Sequence, residues 1–425
     1  MIIKPVDRLK GEIEVPGDKS ISHRVVFIGG IARGETKGKN FLKADDCLRT
    51  VSALRDMGVD IEIKGNNISV YGRGLDGLKK PGGPLYLGNS GTTMRILPGI
   101  LAGQEFEARL TGDESLSRRP MERIIEPLSK MGVSVRSAGP GNTPPLTVKG
   151  GSVRPLEYAT GIASAQVKSS LLFAGLYANG TTSVTEPAHS RDHTERMLKF
   201  AGSKISIRGF TVSVEGRTEL LAEKFFIPGD ISSAAFIIAG ALLLEGSDVT
   251  VRNVGLNPTR TGFLGVLERM GARVKIVNRK EAVEPYGDIE VKSSRLRAIT
   301  VKKDEIPLMI DEIPVLAVLA ARAEGETVIK GVSELKVKET DRVRSATENL
   351  MAAGADIKSD GEDLVIRGAR KRFGKSGFRS FGDHRSAMSA AVTALYADGD
   401  CEIDRTDCVR TSFPGFFGLL KALEK

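Results

Sequence analysis

Apolar and polar positions follow two helical patterns and one strand pattern along this chain, and the three recur in a fixed order. The first pattern is a short helix that is apolar on nearly every side. It reads "VVFIGGIARGET" from residue 25, "MRILPGILAGQE" from 94, "VKSSLLFAGLYANGTT" from 167, "AAFIIAGALLLEGSD" from 234, "PVLAVLAARAEGET" from 314 and "MSAAVTALYADGDC" from 388. A helix without a polar face belongs in a core, and the Gly after each is placed for a left-handed cap. The second pattern is an amphipathic helix, a Gly, then an alternating strand. It reads "LRDMGVDIEI" from 54, "LSKMGVSVRS" from 128, "LKFAGSKISI" from 198, "LERMGARVKI" from 267 and "LMAAGADIKS" from 350.

The pieces alternate at a period of roughly 70 residues, longer than the common solenoid repeats. Six copies of one α/β unit are therefore expected. The last helix, "FFGLLKALEK", has no strand after it, while the chain opens on two spare strands, "MIIKPVD" and "GEIEVPG". A circular arrangement follows, in which the N-terminal strands complete the sixth copy. Copies one to three then form a domain over 19–228, and copies four to six with 1–18 form the other. Both expected crossings carry one turn, "VPGDKSISHR" at 15–24 and "IPGDISSAAF" at 227–236. The first copy is rich in cations and the second has none, so the turn reads as a hinge and the cations as an added function.

Composition narrows the class. With 425 residues, 40% hydrophobic and 27% charged, the chain has material for two ordinary cores. It holds no run of about 18 apolar residues, and its first ten residues carry charges where a signal peptide needs an apolar stretch. Cys47, Cys401 and Cys408 lack metal-ligand spacing and read as reduced thiols of a cytoplasmic protein. The two glutamines, Gln104 and Gln166, among many charges hint at a heat-adapted source. A net charge of +9 calls for acidic partners. Nucleic acid is disfavoured, because there is no Trp, aromatics are 5%, and the cations are scattered singly. Small anions suit cations that converge only in the fold.

The starts of the buried helices carry the candidate chemistry. They read "DKSISHR", "GNSGTTMR" (88–95), "GIASAQVKSS" (161–170), "MIDEIP" (309–314) and "FGDHR" (381–385). Asp, Asn, Ser and Thr cap helix N-termini, whose free N–H groups and partial positive charge bind phosphate and carboxylate. Alone, "GNSGTT" is a turn, "KETDR" (338–342) a solvated helix start and "GDHR" a cap. "GDKS" lacks the spacing of a P-loop. Their joint occurrence at equivalent positions points to function.

In order, "PGDKSISHR", "GNSGTTMR", "SRRP", "SAQVKSS", "VKETDR", "GDHR" and "SFPGF" resemble the 5-enolpyruvylshikimate-3-phosphate synthase family across essentially the whole chain. The resemblance implies a two-domain inside-out α/β barrel of six βαβαββ repeats, three per domain, around a cleft that closes on substrate. It implies transfer of the enolpyruvyl group of phosphoenolpyruvate to the 5-hydroxyl of shikimate 3-phosphate, without metal or organic cofactor. Carried over by motif, Lys19, Ser20, Arg24, Ser164, Ala165, Gln166, Ser190, Asp311 and Lys338 fall on the shikimate 3-phosphate side. Lys19, Asn89, Gly91, Arg119, Gln166, Arg342, Arg385 and Arg410 fall on phosphoenolpyruvate. Asp311, Glu339 and Lys19 are the acid/base candidates. Ala165 stands where a second Ser is frequent, Arg410 where Lys is common, His193 where some members have Tyr, and Ile96 where many have Pro. Gly91 is the residue of glyphosate-sensitive members, so sensitivity is expected.

Seven cations against Asp311 and Glu339 leave the expected site at about +5, against about −5 to −6 on the two substrates. Two like charges at 4 Å repel by about 4 kcal/mol at an effective dielectric of 20. The domains are therefore expected to close only on ligand, and a monomer is expected. The rival reading is the sister transferase acting on UDP-N-acetylglucosamine. It needs a loop cysteine, which "DESLSRRPM" lacks. A non-catalytic nucleic-acid binder is the other alternative.

Overall fold

The computed structural model describes residues 1–425. The chain is a mixed α/β protein with six sheets and divides into two compact units. One is Gly17–Ile227; the other joins Met1–Pro16 to Pro228–Lys425. The chain passes from one unit to the other between Pro16 and Gly17 and between Ile227 and Pro228.

Each unit gathers three of the apolar helices in its interior. In Gly17–Ile227 the helix Gly91–Leu101 packs on both Lys19–Ile31 and Ala165–Gly175. In the other unit Ile231–Leu243, Ile313–Ala320 and His384–Leu395 pack on one another. All eight residues of Ile313–Ala320 and all twelve of His384–Leu395 are buried. Burying one Leu- or Ile-sized side chain contributes about 1.5–3 kcal/mol, so these helices supply much of the core. The amphipathic helices Asp45–Asp56, Glu122–Lys130, His193–Phe200, Gly262–Arg269 and Arg342–Ala352 cover them with one face only.

The left-handed caps are most regular after the amphipathic helices. Gly58, Gly132, Gly202, Gly271 and Gly354 have φ between 78° and 93°, a region costly for any residue with a Cβ. After the buried helices the glycine is less uniform. Gly34, Gly180, Gly246 and Gly325 have positive φ, whereas Gly103 and Gly399 do not. Gly103 instead makes room for Tyr177, whose ring carbon would lie 1.9 Å from an added Cβ.

Five sheets share one plan, a parallel pair extended by an antiparallel hairpin, and in three of them the parallel pair is joined through a buried helix without exchange. Leu85–Tyr86 runs parallel to Glu107–Thr111, which pairs with Leu146–Lys149 and through it with Ser134–Ser137. Glu157–Ala159, Thr181–Thr185, Thr211–Glu215 and Ile205–Arg208 repeat this order, as do Thr300–Val301, Gly325–Ile329, Asp363–Gly368 and Asp356–Asp360. The sixth sheet has the parallel pair Gly377–Phe378 and Cys401–Ile403, with Ile2–Ile3 antiparallel beside the latter.

At the two crossings the leading strands are exchanged. Lys10–Glu14 precedes the helix Lys19–Ile31 but pairs with Asp248–Gly255. Lys224–Phe226 precedes the helix Ile231–Leu243 but pairs with Arg33–Lys39. Of the two N-terminal strands expected in the sixth copy, only Ile2–Ile3 lies beside Cys401–Ile403; Lys10–Glu14 lies in the sheet of Asp248–Gly255. The chain leaves each unit between a leading strand and its helix, so the Pro-Gly-Asp turn sits where the strand is left behind. There Asp18 and Asp230 cap the following helices, accepting N–H bonds from Ile21 and Ser232 at 2.9 Å.

Candidate active site

In the Gly17–Ile227 unit the predicted residues cluster at the starts of the three buried helices. Lys19 opens the first, and its Nζ lies 3.0 Å from Asp46 Oδ2. One turn on, Arg24 is buried, and its fork is fixed by Thr194 Oγ1 (2.6 Å), the Ser20 carbonyl (2.9 Å) and Ser169 Oγ (2.8 Å). Ser20 Oγ accepts from Arg191 at 3.4 Å.

At the second helix, Ser90 caps through Thr93 N–H, and Gly91 begins the first turn. Asn89 bridges two loops, donating to both Asp113 carboxylate oxygens and accepting from Arg119 Nη2 at 2.5 Å. A Cβ on Gly91 would lie 2.8 Å from Arg119 Nη1 and 3.0 Å from Arg95 Nη1, so glycine here makes room for two guanidinium groups. The third helix is capped by Ser164. Its Gln166 accepts from Arg95 at 3.2 Å and donates to Thr92 at 3.1 Å, tying it to the second. Ala165 fills the first helical position, where it has no hydroxyl to offer, and Ser190 donates to Glu186 at 2.8 Å.

A buried chain of hydrogen bonds links these helices. His23 Nδ1 meets Thr50 Oγ1 at 2.6 Å, which meets Thr93 Oγ1 at 2.7 Å, which meets Ser90 Oγ at 2.7 Å. Burial pushes the His23 imidazole well below its usual value, and the charges of Lys19 and Arg24 push it further. The ring is thus neutral in the fold. Because the folded value is depressed, its stabilisation is complete above the unfolded value of about 6.5 and is lost as pH falls below it. The loss amounts to up to about 1.4 kcal/mol per pH unit. Thermal denaturation of His23→Asn is expected to lose less stability than wild type between pH 7 and 5. Equal acid-side slopes would exclude His23 as the group responsible.

In the other unit, one arginine organises the predicted carboxylates. Arg342 is buried; its Nη1 lies 2.9 Å from Asp311 Oδ1, Nη2 2.6 Å from Glu339 Oε2, and Nε 3.0 Å from Asp383 Oδ2. Burial alone would lower its pKa, but Asp383, Glu339 and Asp311 together hold it above the usual value. Asp383 is fully buried and also caps the helix His384–Leu395 through the Arg385 and Ser386 N–H groups. Arg385 is buried as well. It stacks over Phe236, its Cζ 5.9 Å from the ring centre, and its Nε and Nη1 have no protein partner. A buried guanidinium left this way is costly unless an anion completes it. Lys338 is half-buried at the end of a 3-10 turn, and Arg410 is exposed in the turn Thr406–Thr411.

The structure also shows groups that motif reasoning passed over. Asp46 pairs with Lys19 in one unit and Asp383 with Arg342 in the other, so each unit brings a carboxylate that the motif count left out. Ser169, Lys168, Glu186 and Thr194 stand behind the predicted contacts. Lys168 and Ser169 lie within "SAQVKSS", and the one charged residue of a buried helix is the available signal. His193 is buried. Cys47 and Cys401 are buried and Cys408 partly so; burial pushes the Cys408 thiol up to about 11, far from a thiolate nucleophile. No helix is long and apolar enough to cross a membrane.

Capped helix starts in two α/β units, lined with serine, asparagine and arginine, are the equipment of an enzyme for multiply charged anions. Residues 3–420 match the family described as EPSP synthase (3-phosphoshikimate 1-carboxyvinyltransferase). A 3-phosphoshikimate 1-carboxyvinyltransferase of Geobacillus thermodenitrificans is 49% identical over 420 residues, covering 98% of this chain and 97% of its own. That of Bacillus subtilis is 46% identical over 421 residues, with 99% and 98% covered. An EPSP synthase structure from Acinetobacter baumannii superposes with a TM-score of 0.89 at 44% identity, over 100% of this chain and 97% of that one. The chain belongs to the EPSP synthase family. Neither the UDP-N-acetylglucosamine transferase nor the nucleic-acid binder is favoured by these matches.

Proposed function

We propose that the helix starts of both units serve one reaction, transfer of the enolpyruvyl group of phosphoenolpyruvate to the 5-hydroxyl of shikimate 3-phosphate with release of phosphate. The observation that carries this reading is the pair of acid/base candidates held by one buried arginine, beside a second buried arginine with donors to spare. Lys19, Ser20, Arg24, Ser164, Gln166 and Ser190 take shikimate 3-phosphate, with Asp311 and Lys338 on its ring hydroxyls. Asn89, Gly91, Arg119, Gln166, Arg385 and Arg410 take phosphoenolpyruvate. The 5-hydroxyl loses its proton to Asp311, with Lys19 beside it, and its oxygen attacks C2. Glu339 gives a proton to C3, which makes C2 electrophilic. The tetrahedral adduct then expels phosphate, its charge met by fixed arginine and lysine groups, while C3 returns a proton to the Glu339 carboxylate to restore the carbon–carbon double bond, and the proton taken by Asp311 passes to the departing phosphate. Arg342 has its three nitrogens on carboxylates, so its main part is to hold Asp311 and Glu339; only its remaining N–H groups are left for substrate.

In this reading each sheet with its two helices is one copy of a sixfold-repeated βαβαββ unit, three per domain, and the domains draw together on ligand. All named groups come from one chain, so a single copy is the working unit, and its three free thiols suit the cytoplasm. Mixing the protein with shikimate 3-phosphate and phosphoenolpyruvate should release inorganic phosphate only when both are present. Release with phosphoenolpyruvate alone, or none at all, would refute the assignment.

Gly91→Ala tests the phosphoenolpyruvate side. Its methyl group displaces Arg119 or Arg95, so KM for phosphoenolpyruvate is expected to rise several-fold while that for shikimate 3-phosphate stays put. Wild type is expected to be inhibited by glyphosate, and the variant less so. Steady-state kinetics with each substrate varied in turn reads both effects.

A further inference from the structure

The Gly17–Ile227 unit buries a charged group that the assigned reaction leaves unused. Lys168 has its Nζ 2.6 Å from Glu186 Oε2 and 2.8 Å from Glu195 Oε1, and all three side chains are at most 3% exposed. Burial pushes the Glu195 carboxyl up against the opposing pull of Lys168. For Lys168, burial alone would act downward, but Glu195 and Glu186 hold it above its usual value. Buried ionic groups of this kind are often no better for stability than apolar packing of equal volume, so their presence asks for another reason.

Glu186 supplies one. Its Oε1 accepts the backbone N–H of Ser164 at 2.8 Å, and its Oε2 accepts the hydroxyl of Ser190 at 2.8 Å. Ser164 caps the very helix that carries Lys168. One carboxylate thus ties together a helix start and a loop, and the lysine one turn into that helix holds the carboxylate still. Ser190 has a single proton, directed at Glu186, so its lone pairs face elsewhere until a phosphate draws that proton across.

We propose that Glu186, clamped by Lys168, is a positioning residue for phosphate recognition: it fixes Ser164 and Ser190 relative to each other so that both meet the phosphate of shikimate 3-phosphate. This rests on the assignment of the two serines made above. It acts on one substrate only, because the groups assigned to phosphoenolpyruvate alone make no bond to Glu186.

Calorimetric titration with shikimate 3-phosphate, and kinetics with each substrate varied, test it. Glu186→Ala is expected to weaken shikimate 3-phosphate binding about tenfold or more, with kcat and the KM for phosphoenolpyruvate within about twofold of wild type. Glu186→Gln keeps an acceptor for Ser164 N–H but turns an amide N–H toward the Lys168 ammonium, so it should weaken binding in the same selective way, though less than Glu186→Ala. If Glu186→Ala does not fold, Glu186→Asp keeps the charge beside Lys168 but shortens the reach, and should weaken binding in the same selective way. Unchanged affinity in the Ala and Asp variants, equal losses in kcat and both KM values, or a Gln variant that binds as tightly as wild type would overturn the proposal. Ser190→Ala separates the two levels. Normal binding there removes the serine assignment and this proposal with it. Weakened binding there, beside an unaffected Glu186→Ala, removes the proposal alone.

Discussion

Alanine at Asp311 or at Glu339 is expected to lower kcat at least about 100-fold, with much smaller changes in the binding of either substrate. Each carboxylate is assigned one proton transfer, and a positioned acid or base contributes on that scale. Both are only partly buried, at 18% and 20% side-chain exposure, and each gives one oxygen to Arg342. Stopped-flow measurement of phosphate release, with both substrates saturating, separates turnover from affinity. A variant that turns over near the wild-type rate would strip that residue of its part. The amide variants Asp311→Asn and Glu339→Gln should be equally slow, because they keep the shape and lose the proton chemistry.

Arg342→Met should be the most damaging single change to stability. It leaves Asp383 at zero exposure without its guanidinium partner. Removing one member of a buried ion pair costs about 3–5 kcal/mol, because the other charge remains stranded. In a unit of about 200 residues that corresponds to a fall in Tm of about 6–20 °C. Activity should fall further than stability explains, since Asp311 and Glu339 lose their common anchor. Arg342→Lys should recover part of the Tm but little of kcat, because a single ammonium cannot span three carboxylates in fixed geometry. Calorimetry beside kinetics reads both. A Tm within a degree or two of wild type for Arg342→Met would mean that Asp383 finds another partner.

Much of the fold could be read ahead of the coordinates because its rule is local. A helix such as "AAFIIAGALLL" has no polar face, and a Gly after "LSKM" or "LERM" marks where the following strand departs. Which sheet an edge strand joins is a different kind of question. "GEIEV" alternates well enough for any sheet, and nothing within those residues distinguishes Asp248–Gly255 from Cys401–Ile403 as its neighbour. The site shows the same division. Motifs located Arg342, Asp311 and Glu339, whose separations along the chain are 31 and 3 residues. That all three meet, and that Asp383 completes the set, depends on packing between helices. "GDHR" announced Asp383 as a cap, which it is, but not as the partner of an arginine 41 residues away. Lys168 was visible in "SAQVKSS" and was passed over, because its purpose lies in Glu186 and Glu195, on other elements.

The exchange of leading strands bears on how the protein is born. Lys10–Glu14 leaves the ribosome while its neighbour Asp248–Gly255 is still unmade; 238 residues separate Leu9 from the Ser247 hydroxyl that receives its N–H. At translation speeds of about 5–20 residues per second, that segment waits on the order of ten seconds to a minute. Its two glutamates and one lysine keep it hydrated meanwhile. The Gly17–Ile227 unit has all its strands once Phe226 emerges, so it can fold on the nascent chain and leave its own forerunner dangling until the remaining half arrives to claim it.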